Sequence, residues 1–224
     1  MSLLDQIKMM STVTDEVIVS FSMGKDSIVV LDLAMKYFKK VHAFYMYMVP
    51  DLEFQERALK KYEQIYNIEI ERVPHFETSE FYRYGSFREA DYFVPKVTIN
   101  DVYEHVRDLF GCHWIAGGER KADSIFRNGM INKSTSLDVK RGRMYPLAYW
   151  EKADVLRYIK LNKCYMPRFY KELGFSLHSL AGKELYQLKQ VYPDDYKRVL
   201  KFFPEAQAGV LQYEAYKKGS ENSE

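Results

Sequence analysis

Short apolar runs alternate with longer segments of helical periodicity through the first half of the chain. The runs predict strands and the periodic segments predict helices. The predicted strands are Val17–Phe21, Val41–Met48, Ile68–Val73 and Trp114–Ala116, and the predicted helices are Asp26–Lys39, Leu52–Tyr66 and Ile99–Phe110. This order is typical of a parallel sheet covered by helices. We therefore predict an α/β fold, in which ligands bind at the carboxyl ends of the strands.

Outside this core the pattern changes. Met1 to Met10 predicts a lead-in helix, and the mixed aromatic and charged stretch from His75 to Lys96 predicts an irregular excursion over the site or a partner surface. Asn67 and Gly111 follow two predicted helices and suit the left-handed C-cap position. Helical periods return between Ala181 and Tyr216. Their predicted role is packing, with docking of a protein partner or of a second copy as the alternative.

Composition narrows the class of protein. A chain of 224 residues with 47% hydrophobic content can form one large domain or two small ones. Its 33 Lys and Arg nearly balance its 31 Asp and Glu, so net charge does not indicate a nucleic-acid or membrane partner, and any such surface must be local. Cys112 and Cys164 are far apart, with no CxxC, leader or long apolar run. These features predict a soluble cytoplasmic protein.

The turn after the first predicted strand has the composition of a phosphate-binding loop. It reads Ser20-Phe21-Ser22-Met23-Gly24-Lys25-Asp26-Ser27 and leads into a helix. Small residues, converging backbone N–H groups and a nearby cation together bind anions. Asp26 would repel a polyphosphate unless it holds Mg²⁺ or caps the helix, and a metal-bound nucleotide satisfies both conditions. The loop is not of the Walker type, because Asp26 follows Lys25. A Ser/Gly turn without a ligand is the alternative.

A second cluster follows the strand Trp114–Ala116. Gly117 and Gly118 leave room for close approach of another backbone, and Arg120 and Arg127 flank Ser124 at a loop-to-helix junction. Arginine suits phosphate or sulfate because its planar guanidinium donates parallel hydrogen bonds. We expect these arginines to bind anions at the same sheet end as the first loop, with a solvated charged face as the alternative. Three further cations add positive potential: Lys133, Arg141 and Arg143.

These segments, together with the Pro-Leu-x-x-Trp-x-x-x-Asp-Val run at Pro146–Val155, resemble the PP-loop superfamily. The resemblance is to its phosphoadenylyl sulfate (PAPS) reductase and ATP sulfurylase small-subunit branch, and it covers roughly Val17 to Phe175. It implies a Rossmann-like, mainly parallel five-stranded sheet with helices on both faces and a C-terminal helical extension. Met23 departs from the family, which usually has a glycine at that place in the loop.

The resemblance also implies roles for individual residues. ATP, or a PAPS-like sulfonucleotide, would bind with Mg²⁺, its adenine near Phe44–Met48 and its phosphates in the loop. Catalytic roles fall to Lys25, Asp26, Arg120 and Arg127, and Asp26 would hold the metal. The residues expected to contact the nucleotide are Ser20, Ser22, Met23, Gly24, Lys25, Asp26, Ser27, Phe44, Tyr45, Met46, Gly117, Gly118, Arg120, Ser124 and Arg127.

Two departures from the family bear on the chemistry. Val49-Pro50-Asp51 replaces the usual Asp-Thr-Gly, and the region Gly174–Ser179 lacks the Cys-Gly-x-His motif of the reductases. Ser176 and His178 stand there instead, and no cysteine follows Cys164. Reduction of a sulfonucleotide needs a nucleophilic thiolate. We therefore expect neither reductase activity nor an iron–sulfur cluster.

Three functions remain open. The first is an adenylyltransferase that splits ATP between its α- and β-phosphates and acts on an unidentified acceptor. The second is a non-catalytic module that binds ATP or a sulfonucleotide and acts with a protein partner. The third is an interaction protein that retains the fold without the ligand. The expected organisation is a PP-loop domain at 1–175, a helical extension at 176–216 and a disordered polar tail at 217–224.

Overall fold

One six-stranded sheet forms the centre of the computed structural model, which describes residues 3–174 and 179–221. Its strands are β1 Glu16–Ser20, β2 Lys40–Tyr47, β3 Ile70–Pro74, β4 Ile115–Ala116, β5 Leu137–Asp138 and β6 Arg143–Met144. Their order across the sheet is β3-β2-β1-β4-β6-β5. Strand β1 runs parallel to β2 and β4, and β4 runs parallel to β6, whereas β5 is antiparallel to β6.

Helices cover both faces of this sheet. They are α1 Asp5–Val13, α2 Lys25–Tyr37, α3 Glu53–Tyr66, α4 Phe76–Tyr84, α5 Ile99–Phe110, α6 Ile125–Ser134, α7 Lys152–Leu161, α8 Phe169–Leu173, α9 Gly182–Val191, α10 Pro193–Phe202 and α11 Ala206–Glu221. A short 3₁₀ turn, Lys121–Asp123, precedes α6. None of the helices in the described ranges combines the length and the apolar character that crossing a membrane requires.

The predicted α/β architecture is confirmed, and so are two of its helix ends. Asn67 and Gly111 have φ angles of 51° and 64°, the left-handed conformation expected of residues that close a helix. Strand β1 is buried at its centre, since Val17, Ile18 and Val19 are fully covered. A central parallel strand needs this continuous apolar run because helices cover both of its faces.

Three local predictions differ from the structure. The sheet has six strands in the described residues instead of five, because the pair β5 and β6 adds an antiparallel edge. Helix α4 lies within the segment 75–96 that we predicted as irregular; His75 caps its N-terminus, and Gly85 ends it with φ 73°. Helix α11 extends over 217–221, the start of the predicted disordered tail. Residues 222–224 lie outside the described part.

Backbone contacts divide the chain into two compact units that do not follow the expected boundary at residue 175. The first consists of Met1–Met46, Leu59–Val73 and Asn100–Met166, and the second consists of Tyr47–Ala58, Pro74–Ile99 and Pro167–Glu224. The first unit holds both loops that the sequence analysis selected. The expected domain organisation therefore stays a prediction.

A buried carboxylate fixes helix α2 within the first unit. Asp32 accepts hydrogen bonds from the hydroxyls of Tyr66 (3.0 Å) and Tyr158 (2.6 Å) and from Lys36 Nζ (2.7 Å). Because Tyr66 ends α3 and Tyr158 belongs to α7, three helices converge on this side chain. The burial of Tyr66 and Tyr158 raises the pKa of each hydroxyl, and the charge of Asp32 beside them raises it further.

In the second unit a distant carboxylate caps helix α3. Asp195 accepts from the backbone N–H groups of Glu53 (2.6 Å) and Phe54 (3.1 Å). These groups have no partner within their own helix, so an external acceptor is required. Helices α9 and α11 of the same unit cross closely, because Gly182 faces the backbone of Gly209.

Candidate functional site

The predicted phosphate loop connects the end of strand β1 to the N-terminus of α2. The backbone N–H of Phe21 donates to the carbonyl of Phe44 at 2.9 Å, which holds the start of the loop against β2. Ser22 N–H donates to Ser27 Oγ at 3.2 Å, and Ser27 Oγ donates to the carbonyl of Gly24 at 3.0 Å. Gly24 is the N-cap and offers no side-chain acceptor. The first N–H groups of α2 are therefore suited to an anion.

Met23 adopts the left-handed conformation at the place where the family usually has a glycine. Its φ angle is 58°, and its side chain is only 1% exposed. For a residue with a Cβ this conformation costs about 1–2 kcal/mol. Burial of the methionine side chain stabilises the fold by a similar or larger free energy, and so offsets this cost. The departure from glycine thus leaves the left-handed turn of the loop in place.

Asp26 connects the two predicted loops. Its carboxylate contacts Lys25 Nζ on one side, and on the other its Oδ1 lies 3.1 Å from Arg120 Nε. Arg120 comes from the loop after β4 and is 5% exposed. A Cβ added to Gly118 would lie 3.1 Å from both Asp26 Cβ and Ser27 N, so the loops are nearly in contact. The structure therefore brings together residues that lie more than ninety positions apart.

Arg120 has hydrogen-bonding capacity that the described residues do not use. Its Nη2 lies 2.6 Å from Asp123 Oδ1, and its backbone N–H donates to Asp123 Oδ2 at 2.9 Å. Its Nη1 is buried and has no hydrogen-bond partner among the described residues, and the same holds for Asp26 Oδ1 as an acceptor. Buried polar atoms are normally hydrogen-bonded. An oxygen-rich ligand with a bound cation would satisfy both atoms.

Asp123 joins the two arginines that the sequence analysis selected. Arg127 Nη1 donates to Asp123 Oδ2 at 2.9 Å, and Ser124 caps α6 by accepting the backbone N–H of Arg127 at 3.1 Å. Burial acts to raise the pKa of Asp123, but the backbone hydrogen bond from Arg120 and the pair with Arg127 outweigh it and lower that pKa. The sequence analysis did not assign Asp123 a role. Its spacing of three from Arg120 was the available signal.

Arg143, one of the three cations predicted to add positive potential, is buried, and its charge is paired with Glu119. It is 4% exposed, and its Nη2 donates to Glu119 Oε1 at 2.9 Å. Its guanidinium lies 4.3 Å from the ring centre of Tyr103 on α5. Burial acts to lower the pKa of Arg143, but the charge of Glu119 and the neighbouring tyrosines outweigh this and raise it. A Cβ on Gly117 would clash with Glu119, so this glycine makes room for the ion pair.

The other two predicted cations are at the surface. Arg141 Nε pairs with Asp138 at 2.6 Å, and Lys133 is exposed on α6.

The residues expected around the adenine lie on both faces of the sheet. Ser20, the last residue of β1, is in register with Phe44 of β2. The ring of Phe44 is fully buried and lies edge-on to Tyr103, with 6.4 Å between ring centres. Strand alternation places Tyr45 on the opposite face from Phe44 and Met46. Of the three side chains, Met46 is the one that is only partly buried. The adenine contact stays a prediction.

Sequence comparison places this geometry in a family. The model of the phosphoadenosine phosphosulfate reductase domain matches residues 16–204, which include both loops and the whole sheet. The chain belongs to this family. The resemblance predicted from the motifs is thereby confirmed, although the match also extends beyond the expected boundary at residue 175.

Two solved structures align with this family member over most of its length. The U34-tRNA thiolase NcsA from Methanococcus maripaludis, determined with its 4Fe-4S cluster, superposes with a TM-score of 0.50 at 17% identity and covers 92% of this chain and 79% of its own. The NH3-dependent NAD synthetase from Campylobacter jejuni, in complex with nitrate, has a TM-score of 0.48 at 14% identity and covers 97% of both chains. At 17% identity the likeness to the thiolase concerns the fold alone. No curated protein matches the sequence significantly.

The two cysteines of this family member are poor nucleophiles. Burial raises the pKa of the Cys112 thiol, and burial together with the charge of Asp32 raises that of Cys164 to about 11. Both thiols are therefore protonated at neutral pH, whereas attack on sulfur requires the thiolate. Ser176 and His178 lie outside the described residues. The expectation that the chain carries no iron–sulfur cluster stays a prediction.

Metal-binding groups in the described ranges are sparse. The described residues contain no cluster of three or more His, Cys, Asp or Glu side chains that could hold an ion. Mg²⁺ does not need such a cluster, since it is often bound by one or two carboxylates together with substrate phosphates. Asp26, with an oxygen that lacks a hydrogen-bond partner among the described residues, fits this mode of binding.

Proposed function

We propose that the chain binds ATP with Mg²⁺, cleaves it between the α- and β-phosphates, and transfers the adenylyl group to an acceptor. The observation that carries the proposal is the contact between Asp26, in the first turn of α2, and the buried Arg120 from the loop after β4. A carboxylate and two cations at a helix N-terminus supply the charges that a metal-bound polyphosphate requires. Family membership supports the choice of an adenine nucleotide.

Each loop has a distinct part in this proposal. The turn Ser22–Ser27 receives the phosphates through backbone N–H groups at the start of α2, because its glycine N-cap leaves them available. Lys25 and Arg120 neutralise negative charge as it develops on the leaving group. Asp123 holds Arg120 in place by accepting two hydrogen bonds, one from its backbone N–H and one from its guanidinium. Arg127, which is partly exposed, binds the acceptor or the phosphate tail.

Asp26 would hold Mg²⁺ together with the phosphates. When bound, the ion supplies a positive charge that stabilises departing pyrophosphate. The ion pairs that Asp26 makes with Lys25 and Arg120 keep its carboxylate in position at the loop.

The reaction is a displacement at phosphorus. An oxygen or nitrogen of the acceptor forms a bond to the α-phosphorus, and the bond between that phosphorus and the bridging oxygen breaks. Pyrophosphate leaves with the electron pair, and the acceptor loses its proton to solvent. The protein contributes position and charge, which are the main terms in transfer at phosphorus.

Ligand-dependent stability tests binding first. The panel is ATP, AMP, GTP, phosphoadenylyl sulfate and sulfate, each with and without Mg²⁺. A ligand at a hundred times its dissociation constant adds about 2.7 kcal/mol to the free energy of unfolding. We expect such a gain with ATP and Mg²⁺ and its loss in Asp26→Asn. The matched control is Asp108→Asn, an exposed acid on α5, which should retain the gain.

Release of pyrophosphate from ATP then tests catalysis. The proposal predicts Mg²⁺-dependent release by the unmodified chain that falls at least a hundredfold in Asp26→Asn. Release that is unchanged in this variant, in a protein that still folds, would overturn the assignment.

A non-catalytic binding module is the second candidate. It is favoured by the pairing of both Lys25 and Arg120 with Asp26, which leaves less positive charge for a transition state. Binding of ATP or the sulfonucleotide without pyrophosphate release, across a range of acceptors, would select it.

A further inference from the structure

Positive charge is concentrated in one segment of the first unit. The stretch from Gly117 to Arg143, which we call the basic crossover, connects β4 to β6. It contains seven Lys and Arg against three Asp and Glu, a net charge of +4, whereas the whole chain carries +2. The remainder is therefore net −2. The near balance of the complete chain hides this local excess.

The acidic residues of the basic crossover are already paired with arginines. Asp123 pairs with Arg127, Asp138 with Arg141, and Glu119 with Arg143, at distances of 2.6–2.9 Å. Within the described part of the chain, three lysines of the segment have no ion pair: Lys121, Lys133 and Lys140. The excess charge of the crossover is thus carried mainly by lysines that no carboxylate of the described residues neutralises.

Large apolar side chains are exposed beside these cations. Ile125 and Phe126, the first two residues of α6, are 94% and 80% exposed. Tyr149 is 50% exposed, and Lys121 Nζ lies 4.4 Å from the centre of its ring. Single exposed apolar side chains are common, whereas several of them grouped together mark a place where a protein meets a ligand or partner. Ile125 and Phe126 stand directly after Ser124, which follows the Arg120–Asp123 pair of the proposed site.

Packing assigns α6 an inner and an outer face. Ile131 is fully buried against Tyr145 and Ala148, whereas Phe126 and Lys133, seven residues apart, both lie on the exposed side. The turn that carries Lys140 is joined to the end of α6, because Arg141 Nη2 lies 3.4 Å from Ser134 Oγ. Phe126 and Lys133 therefore share the outer face of α6, and the turn of Lys140 adjoins its end. Lys121 adjoins the same helix through Ala148, because its backbone N–H donates to the Ala148 carbonyl and Ala148 packs against α6.

We infer that the basic crossover binds a single-stranded segment of nucleic acid. A single strand offers a row of phosphates to Lys121, Lys133 and Lys140 and unpaired bases to the exposed rings of Phe126 and Tyr149. Aromatic stacking and backbone cations are the two contacts by which proteins bind single strands without reading sequence. An acidic protein would match the charge but not the pairing of exposed aromatic rings with cations.

The basic crossover includes the loop of Arg120, so a strand bound to it lies in sequence next to the proposed site. We therefore infer that nucleic acid is the class of acceptor in the proposed reaction. That step rests on the proposed function, whereas the binding itself does not. The two are separable, because oligonucleotide binding is measured without ATP and the ATP-dependent gain in stability is measured without an oligonucleotide.

The test is fluorescence anisotropy with labelled, mixed-sequence single-stranded DNA and RNA of about 20 nucleotides. We expect binding at low salt, with an affinity that falls linearly on a logarithmic salt scale. Phe126→Ala should weaken binding about tenfold through lost stacking. The double variant Lys133→Gln/Lys140→Gln should lower the salt slope by about 1.4, since each phosphate contact to a single strand contributes about 0.7.

Matched controls come from the other end of the sheet. Lys39, which follows α2, and the exposed Leu161 at the end of α7 provide Lys39→Gln and Leu161→Ala, both expected to bind like the unmodified chain. Absence of binding at low salt, or equal losses in the control variants, would overturn the inference. Equal competition by inorganic polyphosphate, or tighter binding of duplex that is insensitive to Phe126→Ala, would also overturn it, since neither requires stacking. Lost oligonucleotide binding with an intact ATP response would overturn this inference alone.

Discussion

Gly118 lies directly against Asp26, with room for no side chain between them. A Cβ at this position would be 3.1 Å from Asp26 Cβ, so the phosphate loop would have to move by a few tenths of an ångström. We predict that Gly118→Ala weakens ATP binding about tenfold and lowers the free energy of unfolding by about 1 kcal/mol. Titration calorimetry and denaturant unfolding measure the two effects.

The control for this substitution is Gly129→Ala. Gly129 is in the interior of α6 with open space around it, so alanine there should stabilise the chain slightly and leave ATP binding unchanged. Unaltered affinity in Gly118→Ala would contradict the close approach of the two loops.

Met23 provides a test of backbone conformation in the loop. Both Met23→Ala and Met23→Gly remove the buried side chain, and each should cost about 2–4 kcal/mol. Glycine avoids the penalty of the left-handed conformation, so Met23→Gly should be more stable than Met23→Ala by about 1 kcal/mol. Denaturant unfolding of the two variants gives the difference directly. The opposite order, which is usual in helices, would show that φ is negative at this position.

The crossing of α9 and α11 makes an asymmetric prediction for two glycines in contact. A Cβ on Gly182 would lie 2.1 Å from the carbonyl oxygen of Gly209, whereas a Cβ on Gly209 would make an ordinary contact at 3.4 Å. Gly182→Ala should therefore lower the free energy of unfolding by about 1–3 kcal/mol. Gly209→Ala should be neutral or stabilising, since it lies inside a helix. Similar effects of the two substitutions in thermal unfolding would contradict this packing.

The ion pairs of Asp123 predict a dependence of stability on pH. Its pKa in the folded chain is below the ordinary aspartate value of 3.8, so the unfolded chain takes up the proton first as pH falls. The stabilising contribution is complete well above pH 4 and is lost as pH falls through the folded pKa. Asp123→Asn should therefore cost about 1 kcal/mol at pH 7 and less at pH 3. Denaturant unfolding of this variant and of the unmodified chain at pH 7 and at pH 3 measures the difference in free energy of unfolding. A difference as large at pH 3 as at pH 7 would contradict the prediction.

Thiol chemistry provides the last prediction. With a pKa raised to about 11, Cys164 is almost wholly protonated at pH 8, and the buried Cys112 is protected as well. Alkylation by iodoacetamide should be about a hundredfold slower than for free cysteine. The double variant Cys112→Ala/Cys164→Ala should retain pyrophosphate release. Loss of that activity in a folded double variant would restore a catalytic role for a thiol.

Local patterns were sufficient to predict the features that short segments determine. Strand β1, the turn into α2 and the loop-to-helix junction at Ser124 each depend on a few adjacent residues, and the structure contains all three. Helix α4 was missed because its aromatic and charged residues lack a clear 3.6-residue period. Its left-handed Gly85 was the signal that could have revealed it. The two-residue strands β5 and β6 were missed as well, whereas the equally short β4 was found because it lies in the apolar run Trp114–Ala116.

The charges of the site could not be predicted in the same way. Whether an arginine reaches solvent or a buried carboxylate depends on which chain segments become neighbours, and Arg143 shows this through its pair with Glu119, twenty-four positions away. From the sequence, Arg143 could be identified only as a positive charge, without its partner or its burial. The contact of Asp26 with Arg120 was predictable in outline, because parallel strands bring their carboxyl ends to one edge. Its detail depends on the glycines that let the loops approach.

The cap that Asp195 places on α3 bears on how the chain is made. Helix α3 is synthesised early, but the acceptor for its first two N–H groups emerges about 140 residues later. On a ribosome adding roughly 5–20 residues each second, the start of that helix waits several seconds or more for its partner. During this interval Glu53 and Phe54 depend on water, and Phe54 also lacks the rings of Phe169 and Tyr192 against which it finally packs. The ring of Phe54 is thus exposed in the nascent chain until the helices that follow residue 168 have been made.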